Sequence, residues 1–128
     1  MDEFPIFLIA SDTNLRFSLC SILKKAHFVV QSSAYLCVEE IQSASYALFV
    51  YAIRSVQDAN LAGAYLQDDA CLTTPIIFLC EPVFVSFLQQ SIRSCCRVEI
   101  LITPLAPQRI IEAVQDVLKP CPANMAET

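Results

Sequence analysis

A single glycine, Gly63, serves a chain of 128 residues. Phosphate-cradling loops of the G-x-G-x-x-G and G-x-x-x-x-G-K-[ST] types need glycines at fixed offsets, because the backbone must approach the phosphates closely. Their absence excludes the commonest nucleotide sites. Basic residues are also few: eight Lys and Arg stand against 13 Asp and Glu, a net charge of −5. They are scattered, with only Lys24 and Lys25 adjacent. No basic stripe exists to neutralise phosphates, so direct nucleic-acid binding is not expected. Long apolar runs are missing too. The longest stretches without Asp, Glu, Lys or Arg, Ala26–Val38 and Ile41–Ile53, have 13 residues each. A membrane span needs ~20 apolar residues. No basic start leads into an apolar core and a cleavage site, so no secretory signal is read. The one histidine, His27, falls where a helix should stop and reads as a helix-end residue rather than a ligand.

What is plentiful is apolar mass. Apolar types make up 55% of the chain and charged types 16%, enough to bury a substantial core and to exclude global disorder. The seven cysteines are an odd number, and none is spaced as C-x-x-C. Neither a zinc knuckle nor a redox loop is written here. Cys20, Cys37 and Cys80 lie within apolar patterns and read as small buried hydrophobes. The expected setting is reduced and cytoplasmic. Cys95 and Cys96 are the one unusual pair, read as helix-end packing.

Apolar runs alternate with amphipathic segments. Phe4–Ala10, Tyr46–Ile53 and Pro75–Cys80 are continuous apolar runs, the pattern of strands buried on both faces. Phe28–Ser32 and Glu99–Ile102 are shorter strand candidates. Asn14–Ala26 carries Leu15, Leu19, Ile22, Leu23 and Ala26 on one helical stripe, with Thr13 or Asp12 placed to cap it. Further helices are expected over Tyr35–Gln42, Asp58–Gln67 (Leu61, Tyr65 and Leu66 inward, Asp58 capping), Val83–Cys95 and Pro107–Leu118. Strictly alternating strands and helices imply an α/β, flavodoxin-like, doubly wound fold: a five-stranded parallel sheet with helices on both faces. Ligands of such folds bind at the carboxyl ends of the strands.

The segments IFLIASDTNLR, SYALFVY, TPIIFLC and ILITPLAPQRIIEAVQDVL, at their spacing, resemble the receiver domain of bacterial response regulators. The domain is expected over residues 4–119, with 120–128 as a tail or the start of a linker. The resemblance implies a phosphate-accepting aspartate, an acidic pair for magnesium, a hydroxyl residue, an aromatic switch and a lysine followed by proline. The residues on those positions are different. The acidic pair falls on Ala10 and Ser11, with Asp12 one place late; the acceptor falls on Tyr51, the hydroxyl on Cys80, the aromatic on Ile100 and the lysine on Thr103, followed by a retained Pro104. Phosphoryl transfer to a protein needs a carboxylate, a metal and a cation. A phenol with a pKa near ~10 is no substitute at neutral pH. No magnesium, no cofactor and no catalysis are expected, and the neutral replacements are expected to fill the pocket.

What remains is surface. The helix, strand and helix at 83–118 form the usual partner face of the family. Phe84, Leu88 and Ile92 form one stripe of the segment Val83–Cys95, while Val83 and Phe87 form a second that one sheet cannot also cover. The expected function is a phosphorylation-independent pseudo-receiver, a protein-interaction and signalling module that regulates a partner or an output domain. Its partner face, for another protein or for a second copy, comprises Val83, Phe84, Phe87 and Arg109 of the last helix. Two other readings use the strand-end crevice: a small-molecule module with Tyr51, Ser11 and Thr103 as hydrogen-bonding groups, or a thiol-based redox sensor at Cys80 or at Cys95 and Cys96.

Overall fold

A computed structural model describes residues 5–34, 47–66, 75–91, 98–103 and 106–118. The elements are β1 (Ile6–Ile9), α1 (Thr13–Lys25), β2 (Val30–Ser33), β3 (Leu48–Ile53), α2 (Val56–Leu66), β4 (Ile76–Cys80), a 3-10 turn at Pro82–Phe84 running into α3 (Val85–Ser91), β5 (Val98–Ile102) and α4 (Pro107–Leu118). All strand pairs are parallel, in the order β2-β1-β3-β4-β5. The helix expected at Tyr35–Gln42, the pair Cys95 and Cys96 and the tail 120–128 lie outside the described residues.

Alternate residues of each central strand point to opposite faces, and both faces are covered. On one face Phe7, Ile9, Phe49, Tyr51, Ile53, Phe78 and Cys80 pack with Ala59 and Ala62 of α2 and Leu88 of α3. On the other, Ile6, Leu8, Ala10, Leu48, Val50, Ala52, Ile77 and Leu79 pack with Leu19 and Leu23 of α1 and Ile110, Ala113 and Val114 of α4. The first face is rich in rings; Phe7 and Phe49 meet edge to face at 6.1 Å, and Tyr51 lies 6.0 Å from Phe78. Rings of that size leave α2 room for small groups only. It presents Ala59, Ala62 and the buried Gly63. Leu61, expected to face inward, is 43% exposed.

Two element ends explain shifted boundaries. Helix α1 ends in a pair of carbonyl-satisfying bonds: the His27 N–H donates to the Lys24 carbonyl at 2.9 Å and the Phe28 N–H to the Leu23 carbonyl at 3.1 Å. His27 takes the left-handed conformation this closure needs, at φ 73°. Phe28 is spent on the cap, so β2 begins at Val30 rather than Phe28. A side chain in that conformation costs roughly 1–2 kcal/mol, from which a glycine is exempt. His27→Gly is expected to raise the urea midpoint by up to ~1 kcal/mol of stability, after the greater freedom of glycine in the unfolded chain is subtracted. His27→Val is expected to lower it.

At α2 the expected cap is corrected. The helix starts at Val56, and Ser55 caps it: its Oγ accepts from the Asp58 N–H at 3.1 Å and its carbonyl from the Ala59 N–H at 3.0 Å. Asp58 therefore stands in the first turn, where its carboxylate turns back toward the end of β3.

Candidate functional site: the carboxyl mouth of the sheet

The carboxyl ends of β1, β3, β4 and β5 deliver Ala10, Ser11, Asp12, Ile53, Arg54, Cys80, Glu81, Ile102 and Thr103 to one edge of the molecule. Asp12 caps α1, its carboxylate accepting from the N–H groups of Asn14 at 2.9 Å and Leu15 at 3.2 Å. Its second oxygen lies 3.7 Å from Arg54 Nη1. Both side chains are about half exposed, so water screens this pair strongly. Arg16 Nη1 donates to the Ala10 carbonyl at 2.8 Å and closes the turn between β1 and α1.

The buried carboxylate at this edge belongs to Asp58, which is 8% exposed. It accepts from the Arg54 N–H at 3.0 Å and from the Ser11 hydroxyl at 3.4 Å. The second contact links the turn after β1 to the first turn of α2. Sequence reasoning assigned Asp58 to a cap and missed Arg54 altogether. The signal was present: Ser55-x-x-Asp58 is the spacing of a capping box, which puts the acid at the third helical position with its carboxylate folded back.

The structure divides the pocket residues assigned from sequence. Ala10 is buried on the α1/α4 face, and the β3 residue on this face nearest the strand end is Ala52. Tyr51 faces the other way, 2% exposed against Phe78 and two residues short of the strand end. Its ring is core, and its hydroxyl does not line the crevice. Strand alternation is the reason: a one-residue step in β3 moves a side chain to the opposite face. Ile100 likewise packs against the Tyr51 side. Cys80 is buried in that same cluster, level with Ile53 in the sheet. Thr103 does stand at the mouth, its N–H donating to the Cys80 carbonyl at 2.9 Å. Pro104 lies outside the described residues.

Burial, reinforced by the Asp58 carboxylate, pushes the Tyr51 phenol up to about 12. Burial and then the Glu81 carboxylate push the Cys80 thiol up as well. Both groups stay protonated at neutral pH, and a disfavoured thiolate works against redox chemistry at Cys80. Among the described residues no three His, Cys, Asp or Glu side chains gather as a metal site.

A crevice of about 400 Å³ opens between α1 and α4, lined by Leu15, Ser18, Leu19, Ile22, Ala52, Arg54, Leu79, Glu81, Thr103 and Ile110. Small Ala52 forms part of its floor, where a longer side chain would occupy the space. Tyr51 and Ser11 take no part in it.

On the expected partner face, Val83 is 74% and Phe87 39% exposed, while Leu88 is fully buried. Phe84 is half-buried against the ring-rich core. Arg109 is exposed on the first turn of α4. Ile102, at the end of the edge strand β5, is 48% exposed. Among the described residues no helix is long and apolar enough to cross a membrane.

Neither a family model nor a curated protein matches the sequence. Solved structures do match it. The chemotaxis response regulator CheY4 of Vibrio cholerae is 15% identical, with a TM-score of 0.71 over 91% of this chain and 99% of that one. A response regulator from Chloroflexus aurantiacus is 16% identical, with a TM-score of 0.72 over 93% and 100%. The receiver domain of a signal transduction histidine kinase from Syntrophus aciditrophicus is 14% identical, with a TM-score of 0.73 over 90% and 89%. At these identities the likeness is one of architecture: the chain has the fold of the response-regulator receiver domains.

Proposed function

We infer that this chain is a pseudo-receiver that works without phosphorylation, in the cytoplasm and without an enzymatic activity of its own. It acts as a signalling module that binds a protein partner or a second copy of itself, or regulates an attached output domain. The contact face runs over α3, β5 and α4, with Val83, Phe84, Phe87 and Arg109 on it. The observation that carries this reading is the employment of the acids at the mouth. Asp12 is engaged in capping α1, and Asp58 is held by the Arg54 N–H and the Ser11 hydroxyl. The strand positions that line the crevice, Ala52 and Leu79, carry no charge. A magnesium ion keeps its place through carboxylates and water, and a phosphoryl acceptor must be a free nucleophile. Asp12 and Asp58 are committed to those bonds and Glu81 alone is left at the described mouth, one carboxylate where a metal and an acceptor would need several, while Val83 and Phe87 offer apolar area outside.

Incubation with acetyl phosphate and Mg²⁺, or with beryllofluoride and Mg²⁺, is expected to leave the amide spectrum unchanged and to yield no acid-labile phosphate. One equivalent of acid-labile phosphate would refute phosphorylation independence. Pull-down from source-cell lysate with wild type and Phe87→Asp tests the contact face.

A further inference from the structure

We propose that the crevice between α1 and α4 is a binding site for a small amphiphilic amine, seated with its apolar body among the helices and its ammonium group between Glu81 and Thr103. None of Val83, Phe84, Phe87 and Arg109 lines this crevice.

The crevice has the size of a small-molecule site, at about 400 Å³. Its floor is apolar and almost closed to water: Leu19, Ala52, Leu79 and Ile110 are each 6% exposed or less. Its polar groups stand at the rim, on the ends of adjacent strands. The sheet order fixes how they are arranged. Asp12 follows β1, Arg54 follows β3, Glu81 follows β4 and Thr103 follows β5, so they stand in that order across the mouth. Arg54 reaches toward the β1 side, where Asp12 meets it at 3.7 Å. Its guanidinium is thus turned to the side of the mouth away from Glu81. Glu81, on the opposite side, has no ion-pair partner among the described residues. Beside it Thr103 adds a hydroxyl oxygen that accepts hydrogen bonds.

An apolar cavity with one unpaired carboxylate at its edge selects a cation with an apolar tail. An ammonium group donates three hydrogen bonds and accepts none, which suits acceptors of this kind. The field of the whole chain, at a net charge of −5, points the same way. A carboxylate head would meet Glu81 with like charge, and a neutral head would leave it unanswered.

The test is titration of the ¹⁵N-labelled full chain with octylamine, octanol and octanoate, which share a tail and differ in head. Octylamine is expected to give saturable shifts clustered at Leu19, Ala52, Leu79 and Ile110, octanol weaker ones and octanoate none. Glu81→Gln should weaken octylamine about fivefold, the scale of one partly exposed charge pair. Glu112→Gln, an exposed acid outside the crevice, should not. Ala52→Phe should abolish the shifts by filling the floor. Should that variant not fold, Ser18→Phe at the exposed rim should block entry instead. Phe87→Asp should leave binding intact, whatever it does to partner capture. Octanol or octanoate binding as well as octylamine overturns the proposal. So do shifts scattered over the acidic surface, or binding that survives the crevice-filling variants.

Discussion

Leu88→Asp is expected to unfold the domain, and Phe87→Asp, one residue earlier on α3, to leave it folded. Leu88 is fully enclosed in the ring-rich core. A carboxylate there loses its hydration and gains no partner, a cost of roughly 4–5 kcal/mol or more. That is comparable to the whole stability of a domain this size, about 5–15 kcal/mol. Phe87 is 39% exposed, so a charge at its position keeps much of its water. Its effect on the urea midpoint should correspond to about 1 kcal/mol or less. Its effect on association should be larger, because a partner that covers the patch must strip the carboxylate. Urea midpoints and sedimentation on the two variants separate the cases. Equal destabilisation would place Phe87 in the core; unchanged association would remove it from the contact face.

The second large effect is alkaline. Tyr51 holds its proton up to about 12 in the folded state, against 10.0 for the free group. The unfolded chain therefore gives up this proton first as pH rises. The stability tied to Tyr51 is whole below pH ~10 and is lost between ~10 and ~12, amounting to about 2–3 kcal/mol at the upper end. The Cys80 thiol, raised above its ordinary 9.0, acts with the same sign from a lower starting point. Urea midpoints should stay level from pH 7 to about 9 and then fall. Tyr51→Phe should remove most of the fall above pH 10. A Tyr51→Phe variant with the same alkaline profile as wild type would show that another group controls the loss.

The fold was legible because its main signals are long. Continuous apolar runs at Tyr46–Ile53 and Pro75–Cys80 admit few structures besides buried parallel strands, and the α1 stripe from Leu15 to Leu23 has helical period only. The site was harder to read, for two physical reasons. Assigning a strand residue to one face requires its register to be right to a single position, and in β3 every residue from Leu48 to Ile53 is buried. With no polar residue to mark a face, Tyr51 and Ala52 could not be told apart by pattern. The second reason is local. Asp58 has the composition of a cap and the position of a latch, and only its hydrogen bonds, its N–H to Ser55 Oγ and its carboxylate from the Arg54 N–H, show which it is.

The placement of the lone glycine bears on how this domain meets a partner. Gly63 is buried in α2, so the described turns are made by residues with side chains. Such residues have a narrow choice of backbone angles, and His27 is held at positive φ by two hydrogen bonds. The described turns, with so few permissive joints, have little freedom left to surrender on docking. Association should then be governed by contact chemistry and water release, with a small ordering term: rigid-body recognition, whose heat-capacity change matches the apolar area covered and no more.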